Sequence, residues 1–347
     1  MRSGKLYFLH TIILTVVIGS LIATGCRKEN GIDNNKVVRT PYGLYFSDRL
    51  GAMYNTNDGK TFRVVFPTDG YNARAIATSG NNILWIKNNL HVSADNGLNF
   101  NPGRLSTSGL VTPSPQAKWQ NMILDVPSQG RVYMATANST NGVAWSENNG
   151  ITWDDDAAPA WEGGLSGLSI QSFSQLKNGE LYAMDNSGPR LFMRKQKTDP
   201  WKEVVMVTPP PAGKCYLSHF NNALIAVDVT GAGGIFYSDD FGLNWTNYAG
   251  VPSNQELFSV AAPLDQVLLA GTDSAGIYRL VGDTFQASNN GLMPFTKVYG
   301  IVGKQDIYKN EVIKQFVYIA TSNGVFRSED LGQNWTLVRP GDIRVIY

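Results

Sequence analysis

The chain has 347 residues, 43% of them hydrophobic and only 16% charged, with 35 glycines. That charged share is well below the usual ~25%, and the mix points to many turns around a filled core rather than to disorder. Lys+Arg 29 against Asp+Glu 28 gives net +1 with no basic block, which excludes the phosphate-neutralising surface of a nucleic-acid binder. Two cysteines exclude a disulfide scaffold, and three histidines argue against a multi-histidine site, so neither a metal nor a cofactor is expected.

Arg2 and Lys5 open the chain, followed by an apolar run from Leu6 to Ala23 and then by Thr24-Gly25-Cys26. A basic start, an apolar stretch and small residues at a cut site make a secretory signal. The run is also nearly long enough to span as an anchor, but small residues meeting a cysteine at the boundary favour cleavage. This junction resembles a bacterial lipobox. The resemblance implies cleavage before Cys26, lipidation of its sulfur and an outer-membrane lipoprotein. Residues 1–25 are therefore read as signal peptide, 26–36 as lipidated cysteine and flexible polar tether, and 37–347 as one folded domain. Cys215 is then left alone and is expected to pack as a small hydrophobe.

An eight-residue pattern, Ser-x-Asp-x-Gly-x-x-Trp, recurs along the remainder. It is weakest at Asn55–Phe62, which keeps Asn57 and Gly59. Ser93, Asp95 and Gly97 carry the second copy, and Ser146, Asn148, Gly150 and Trp153 the third. Complete copies stand at Ser238, Asp240, Gly242, Trp245 and at Ser328, Asp330, Gly332, Trp335. Starts at 55, 93, 146, 238 and 328 leave gaps of 38, 53, 92 and 90, so two degenerate copies are expected, at Arg194–Trp201 and Tyr278–Phe285. Seven strand-rich units with a period in the low-to-middle forties mark a propeller. Locally, the glycine supplies a positive φ, the Ser and Asp side chains bond the turn backbone, and the aromatic opens the next strand. The pattern resembles the BNR or Asp-box repeat of sialidase-like propellers over roughly residues 37–347.

Each unit reads as four strands, A to D. Inner strands A are expected near 74–78, 122–126, 169–174, 216–220, 258–262 and 299–303. Strands B are expected as the apolar runs at 83–87, 132–136, 181–184, 224–227, 267–270 and 317–320. The first unit begins at strand B, near 42–47, and lacks A. The segment Ile343–Tyr347 follows the seventh D, so it is expected to supply that strand and close the ring. The expected fold is thus an all-β, seven-bladed propeller of four-stranded blades.

Box turns and A–B hairpins share one rim, including an extended hairpin at 304–314. The D–A and B–C connections share the other rim, around the mouth of the central channel. Long D–A connections on a rigid scaffold commonly carry function. Those at 71–74, 101–118, 154–167 and 246–257 make Tyr71, Arg74, Trp119, Asp154, Asp156, Trp161 and Glu162 the candidate ligand-binding residues, with Tyr248 and Glu256 nearby. Aromatic rings beside carboxylates suit sugars, although packing between blades and a solvated acidic turn account for the same residues. No catalytic residue is assigned.

Similar Asp-box propellers include sortilin-type receptor domains and assembly factors of photosynthetic complexes. That likeness implies a monomeric binding or scaffold module for a glycan or an envelope protein, of a type common in Bacteroidetes lipoproteins. The sialidase likeness implies instead a glycan-active enzyme. Its arginine motif is matched only in part by Val38-Arg39-Thr40-Pro41.

Overall fold

The computed structural model describes residues 36–37, 43–56, 59, 61–105, 109–113, 122–136, 142–155, 168–185, 190–210, 214–229, 234–308 and 313–347. The lipobox with Cys26, together with Asn57, Trp119, Asp156, Trp161 and Glu162, lies outside them. Among the described residues no helix is long and apolar enough to cross a membrane. Two units are distinguished. In the small one, Lys36 and Val37 pair antiparallel with Tyr308 and Ile307. The large one, Val38–Asp306 with Ile313–Tyr347, is the propeller.

Its strands form seven sheets. Blade 2 has strands A to D at Ala75–Ser79, Asn82–Ile86, Leu90–Ser93 and Asn101–Pro102. Blade 3 runs Ile123–Val126, Arg131–Ala135, Val143–Ser146 and Thr152–Asp155. Blade 4 runs Ile170–Gln175, Leu181–Asp185, Arg190–Arg194 and Lys202–Val204. Blade 5 has Cys215–Phe220, Ala223–Asp228, Gly234–Ser238 and Thr246–Asn247. Blade 6 has Leu257–Ala261, Leu269–Thr272, Ile277–Val281 and Thr284–Ala287. Blade 7 has Val298–Tyr308, Ile313–Thr321, Gly324–Ser328 and Thr336–Pro340, so its A–B hairpin is the long one that the sequence suggests.

Blade 1 takes strands B to D from Leu44–Asp48, Met53–Thr56 and Arg63–Phe66, and its strand A from Ile343–Ile346. The closing strand pairs antiparallel with strand B, Phe46 opposite Ile346. Tyr45 and Tyr347 exchange both backbone bonds, at 2.8 and 2.7 Å. Strands A of blades 1 to 6 neighbour one another in succession, and strand A of blade 1 also lies against strand B of blade 7. Strands B are buried on both faces, all five residues in Asn82–Ile86 and Leu181–Asp185, because each blade is sandwiched between two others. Cys215, the first residue of strand A in blade 5, is also buried, and its thiol is pushed up to about 12, first by burial and then by Asp228. It should resist thiol reagents at pH 8 in the folded protein and react on denaturation, a difference that titration with a chromogenic disulfide reads directly.

The repeat turns hold as their residue types require. Ser238 Oγ donates to Asp240 at 2.8 Å and accepts from Gly242 N at 2.8 Å. Ser93, Ser146 and Ser328 make the same pair of bonds. At the first copy, Gly59 N bonds Thr56 Oγ1 instead, a shift of one residue. Each of the four serine turns uses two consecutive left-handed residues: Asn96, Asn149, Phe241 and Leu331 precede the box glycines, with φ of 58°, 57°, 62° and 56°. Asparagine tolerates that region, whereas Phe241 and Leu331 hold it under strain.

The box is also an inter-blade joint, which local reasoning missed. A Cβ on Gly242 would stand 2.2 Å from Leu191 of blade 4, and one on Gly150 2.3 Å from Leu84 of blade 2. Past strand D of blades 2, 4, 5 and 6 the chain crosses to the next blade and runs parallel beside the start of its strand D. Arg104–Leu105 pairs with Thr152–Trp153, Ala249 with Thr284 and Asn290 with Asn334. The residue that ends the box donates its backbone N–H to this crossing: Trp245 to Thr208 O at 3.0 Å, Phe285 to Ala249 O at 2.8 Å and Trp335 to Asn290 O at 2.9 Å.

Hydrogen bonds from Asn99, first its backbone N–H and then its side chain, hold the Asp95 carboxyl at about 2. Asp240 is lowered likewise by Asn244, and Asp330 by Asn334 against opposing partial burial. A carboxyl whose folded pKa lies below its unfolded value of ~3.9 stabilises the fold above that pH and loses the contribution as pH falls through the folded pKa. The thermal midpoint should therefore fall between about pH 4 and pH 2. Changing all three aspartates to asparagine should flatten that slope in melts followed by circular dichroism.

Candidate functional site

The inner strands of blades 1, 4 and 6 carry a β-bulge at the same place, the second residue from the D–A rim. Pairing skips Arg344 between Ile343 and Val345, Gln171 between Ile170 and Ser172, and Phe258 between Leu257 and Ser259. A bulge re-aims a side chain and is common beside sites. Tyr299 occupies the second position of strand A in blade 7.

Three of these residues form one row across blades 6, 7 and 1. The Phe258 and Tyr299 rings are 5.5 Å apart, and the Arg344 guanidinium lies 4.4 Å from the Tyr299 centroid. Arg344 Nη2 donates to Asp342 at 2.8 Å. Asp342 O in turn accepts from Arg49 N at 2.9 Å. Arg344 Nε and Asp342 Oδ1 are buried atoms with no hydrogen-bond partner among the described residues. Burial raises the Tyr299 hydroxyl, with Arg344 and Asp342 acting on it in opposite senses, so it stays protonated near neutral pH. The row therefore offers two aromatic rings and a guanidinium.

Exposed apolar side chains stand on the same rim: Leu50 in the B–C turn of blade 1, and Met293 and Phe295 before strand A of blade 7. Phe295 is 84% exposed and held at a φ of 57°. Such strain is characteristic of functional loops.

Of the residues singled out by sequence, Tyr71 and Arg74 lie on the D–A connection between blades 1 and 2, with Tyr71 exposed and Arg74 half-buried. Tyr71 N bonds Asp69 Oδ1 at 3.1 Å, and Asp69 pairs with the buried Lys87 ammonium. That ammonium stands 4.3 Å from the Trp85 ring and 5.7 Å from the Tyr71 ring. Tyr71 thus caps an internal cation. Asp154 lies on strand D of blade 3, opposite Trp145, rather than in the connection that follows. Neighbouring Asp155 is raised by burial and then by Asp154. Tyr248 is largely buried, stacked 4.6 Å from Tyr237. His91 and His219 sit on strands C and A, both lowered first by burial. Sequence reasoning missed Phe258, Tyr299, Arg344 and Lys87. A bulge has no sequence signature of its own, so only the place of the first three at the head of strand A hinted at them.

Among the described residues no group of three or more His, Cys, Asp or Glu could hold a metal ion. No protein-family model and no curated protein matches the chain. Solved structures do. PorZ, an essential bacterial surface component of the type-IX secretion system of Porphyromonas gingivalis, is 15% identical with a TM-score of 0.55; the match covers 86% of this chain and 37% of that one. A catalytically inactive virginiamycin B lyase from Staphylococcus aureus with quinupristin is 12% identical with a TM-score of 0.54, covering 84% and 98%. YCF48 bound to D1 peptide is 14% identical with a TM-score of 0.50, covering 77% and 86%. At such identities the likeness speaks to architecture alone, and with the seven sheets and the shared closing blade it makes this chain a seven-bladed β-propeller.

Proposed function

We propose that this is a lipid-anchored envelope propeller that binds a partner molecule at its D–A rim and serves as a binding or scaffold module. The row Phe258–Tyr299–Arg344 carries the reading. It combines stacking surface with a guanidinium, which suits recognition of a carbonyl- or carboxylate-bearing chain. A polypeptide segment is the first ligand class, because exposed Leu50, Met293 and Phe295 add apolar surface on the same rim. YCF48 bound to a peptide and PorZ as a secretion component support that choice. A glycan is the second class, since the same rings suit pyranose faces. The BNR/Asp-box repeat, the lipidated Cys26 and a Bacteroidetes-type outer-membrane location, on the surface or the periplasmic face, belong to this proposal. So do one protomer per molecule and Tyr71, Arg74, Trp119, Asp154, Asp156, Trp161 and Glu162 as further rim contacts.

The alternative is a glycan-active enzyme. It draws on Asp155, a carboxyl raised by burial beside a second carboxylate, and on the lyase among the similar folds.

Peptide and glycan arrays probed with the full-length chain in detergent separate these readings. Binding that weakens at least tenfold on Phe258→Ala and on Arg344→Gln, with melting unchanged, is the expected result. Binding indifferent to both changes overturns the site. Turnover of an arrayed glycan that is lost on Asp155→Asn moves the function to the enzyme reading.

A further inference from the structure

The C–D turns of blades 2, 3, 5 and 6 carry exposed apolar side chains. Leu98, Ile151 and Leu243 directly follow the box glycines of blades 2, 3 and 5, Phe241 directly precedes the last of these glycines, and Val281 stands in the turn of blade 6. The turn does not require them. Blade 7 has Gln333 where Leu98, Ile151 and Leu243 stand, and blades 2 and 3 have Asn96 and Asn149 where Phe241 stands. Phe241 holds its left-handed φ of 62° without the short polar side chain that eases asparagine into that region. Single exposed apolar residues are ordinary, but repeat-related positions gather these on one rim. The A–B hairpins share it: Ser79 Oγ and Asn82 Nδ2 of blade 2 donate to Asn149 Oδ1 at 3.1 Å and Asn149 O at 3.0 Å in the box of blade 3.

The chain enters the propeller at this same rim. Tyr45 exchanges backbone bonds with Tyr347, which ends the closing segment, so Leu44 begins strand B of blade 1 on the A–B side. Upstream, Lys36 and Val37 pair with Tyr308 and Ile307 at the end of Val298–Tyr308. Ten residues, 26–35, separate that pairing from the end of the apolar run and its cysteine. Fully extended, they reach at most ~36 Å. Membrane attachment at Cys26, or through Leu6–Ala23 itself, therefore holds the entry rim close to lipid. Among the described residues the C–D turns carry no surplus of cations. Lys195 and Lys197 face Glu180 and Glu147, while hydrogen bonds from Asn99 and Asn244 keep Asp95 and Asp240 ionised. Apolar tips without a basic patch suit a zwitterionic surface better than an anionic one.

We propose that the box rim rests on the membrane that holds the N-terminus, with its apolar tips among the headgroups of a zwitterionic lipid surface. The inference depends on the membrane attachment in the proposed function and adds its orientation. The D–A rim, with Phe258, Tyr299 and Arg344, then faces away from lipid and is open to a partner. A few tips make a weak contact alone. Tethering makes it sufficient, because attachment supplies a high local concentration of surface.

Fluorescence quenching in vesicles tests it. The full-length chain, purified from a bacterial envelope, is reconstituted into phosphatidylethanolamine–phosphatidylcholine vesicles that carry a headgroup-depth nitroxide lipid. A fluorescent maleimide is placed at Gln333→Cys on the box rim or at Asn72→Cys on the D–A rim, and the unaltered chain, treated alike, is the blank. The label at position 333 should be quenched at least twofold more than the label at 72, with or without added phosphatidylglycerol. Changing Leu98→Ser, Ile151→Ser and Phe241→Asn together should abolish the difference, while the chain still floats with the vesicles and its melting point is unchanged. Equal quenching at the two positions, a difference that survives the triple change, or one that needs phosphatidylglycerol overturns the inference and leaves the attachment standing. A label at 333 that is shielded from a water-soluble quencher yet untouched by the nitroxide lipid marks a protein contact and overturns it too. A chain that fails to float overturns the attachment and this inference with it.

Discussion

Removal of Ile343–Tyr347 is expected to abolish cooperative unfolding, leaving a chain that elutes as aggregate. Ile343, Val345 and Ile346 are buried, at 1%, 3% and 0% exposure. Burying such side chains contributes about 1.5–3 kcal/mol each, so roughly 5–9 kcal/mol is lost, against a total stability of about 5–15 kcal/mol for a folded protein. The deletion also uncovers the inner edge of Leu44–Asp48, whose free backbone groups invite pairing with another molecule. Trimming a terminus that is not tied down costs little by comparison. Calorimetry and size-exclusion chromatography check this. A truncated chain that melts within a few degrees of the full one would show that blade 1 stands without its closing strand.

Gly291→Ala and Gly250→Ala should each destabilise by roughly 3–5 kcal/mol, combining left-handed strain of about 1–2 kcal/mol with the cost of forcing an atom into packed structure. Both glycines follow the crossing segments, at φ of 89° and 84°. A Cβ at Gly291 would stand 2.0 Å from Trp335 O, and one at Gly250 2.1 Å from Phe285 O, where neither neighbour is a side chain able to turn away. Gly179 is the control: its φ is 88°, but nothing lies within 4 Å of its would-be Cβ, so Gly179→Ala should show the conformational cost alone. Urea midpoints of the three variants separate strain from clash. Equal losses at all three positions would remove the crossing from the account of blade-to-blade cohesion.

The architecture was legible because its signals are local and repeated. A turn of Ser238, Asp240 and Gly242 declares itself within five residues. Apolar runs such as Leu181–Asp185 declare strands sandwiched between neighbours, and a spare strand at Ile343–Ile346 declares the closure. Contacts between blades were not legible. The parallel pairing of Asn290 with Asn334 joins segments of no shared pattern, and the seat of Gly242 against Leu191 depends on packing between units. The site suffered most. Asp154 was placed in a loop because acidic runs resemble turns, yet strand D of blade 3 continues through Asp155. Phe258, Tyr299 and Arg344 read as ordinary strand residues until bulges in two of their strands and their positions around the ring bring them together.

The closing strand also has a consequence in time. Leu44–Asp48 is synthesised early, and its inner partner, Ile343–Ile346, lies about three hundred residues later. Contacts that span so much sequence are slow to form, because loop-closure entropy is lost before the contact is made. Blades 2 to 6 can each assemble from contiguous segments as they emerge, but the first blade stays an open edge until the last segment of the propeller is available. The vulnerable species in the life of this protein is therefore a nearly complete ring with its gap at blade 1, exposed to aggregation for as long as that gap stays open.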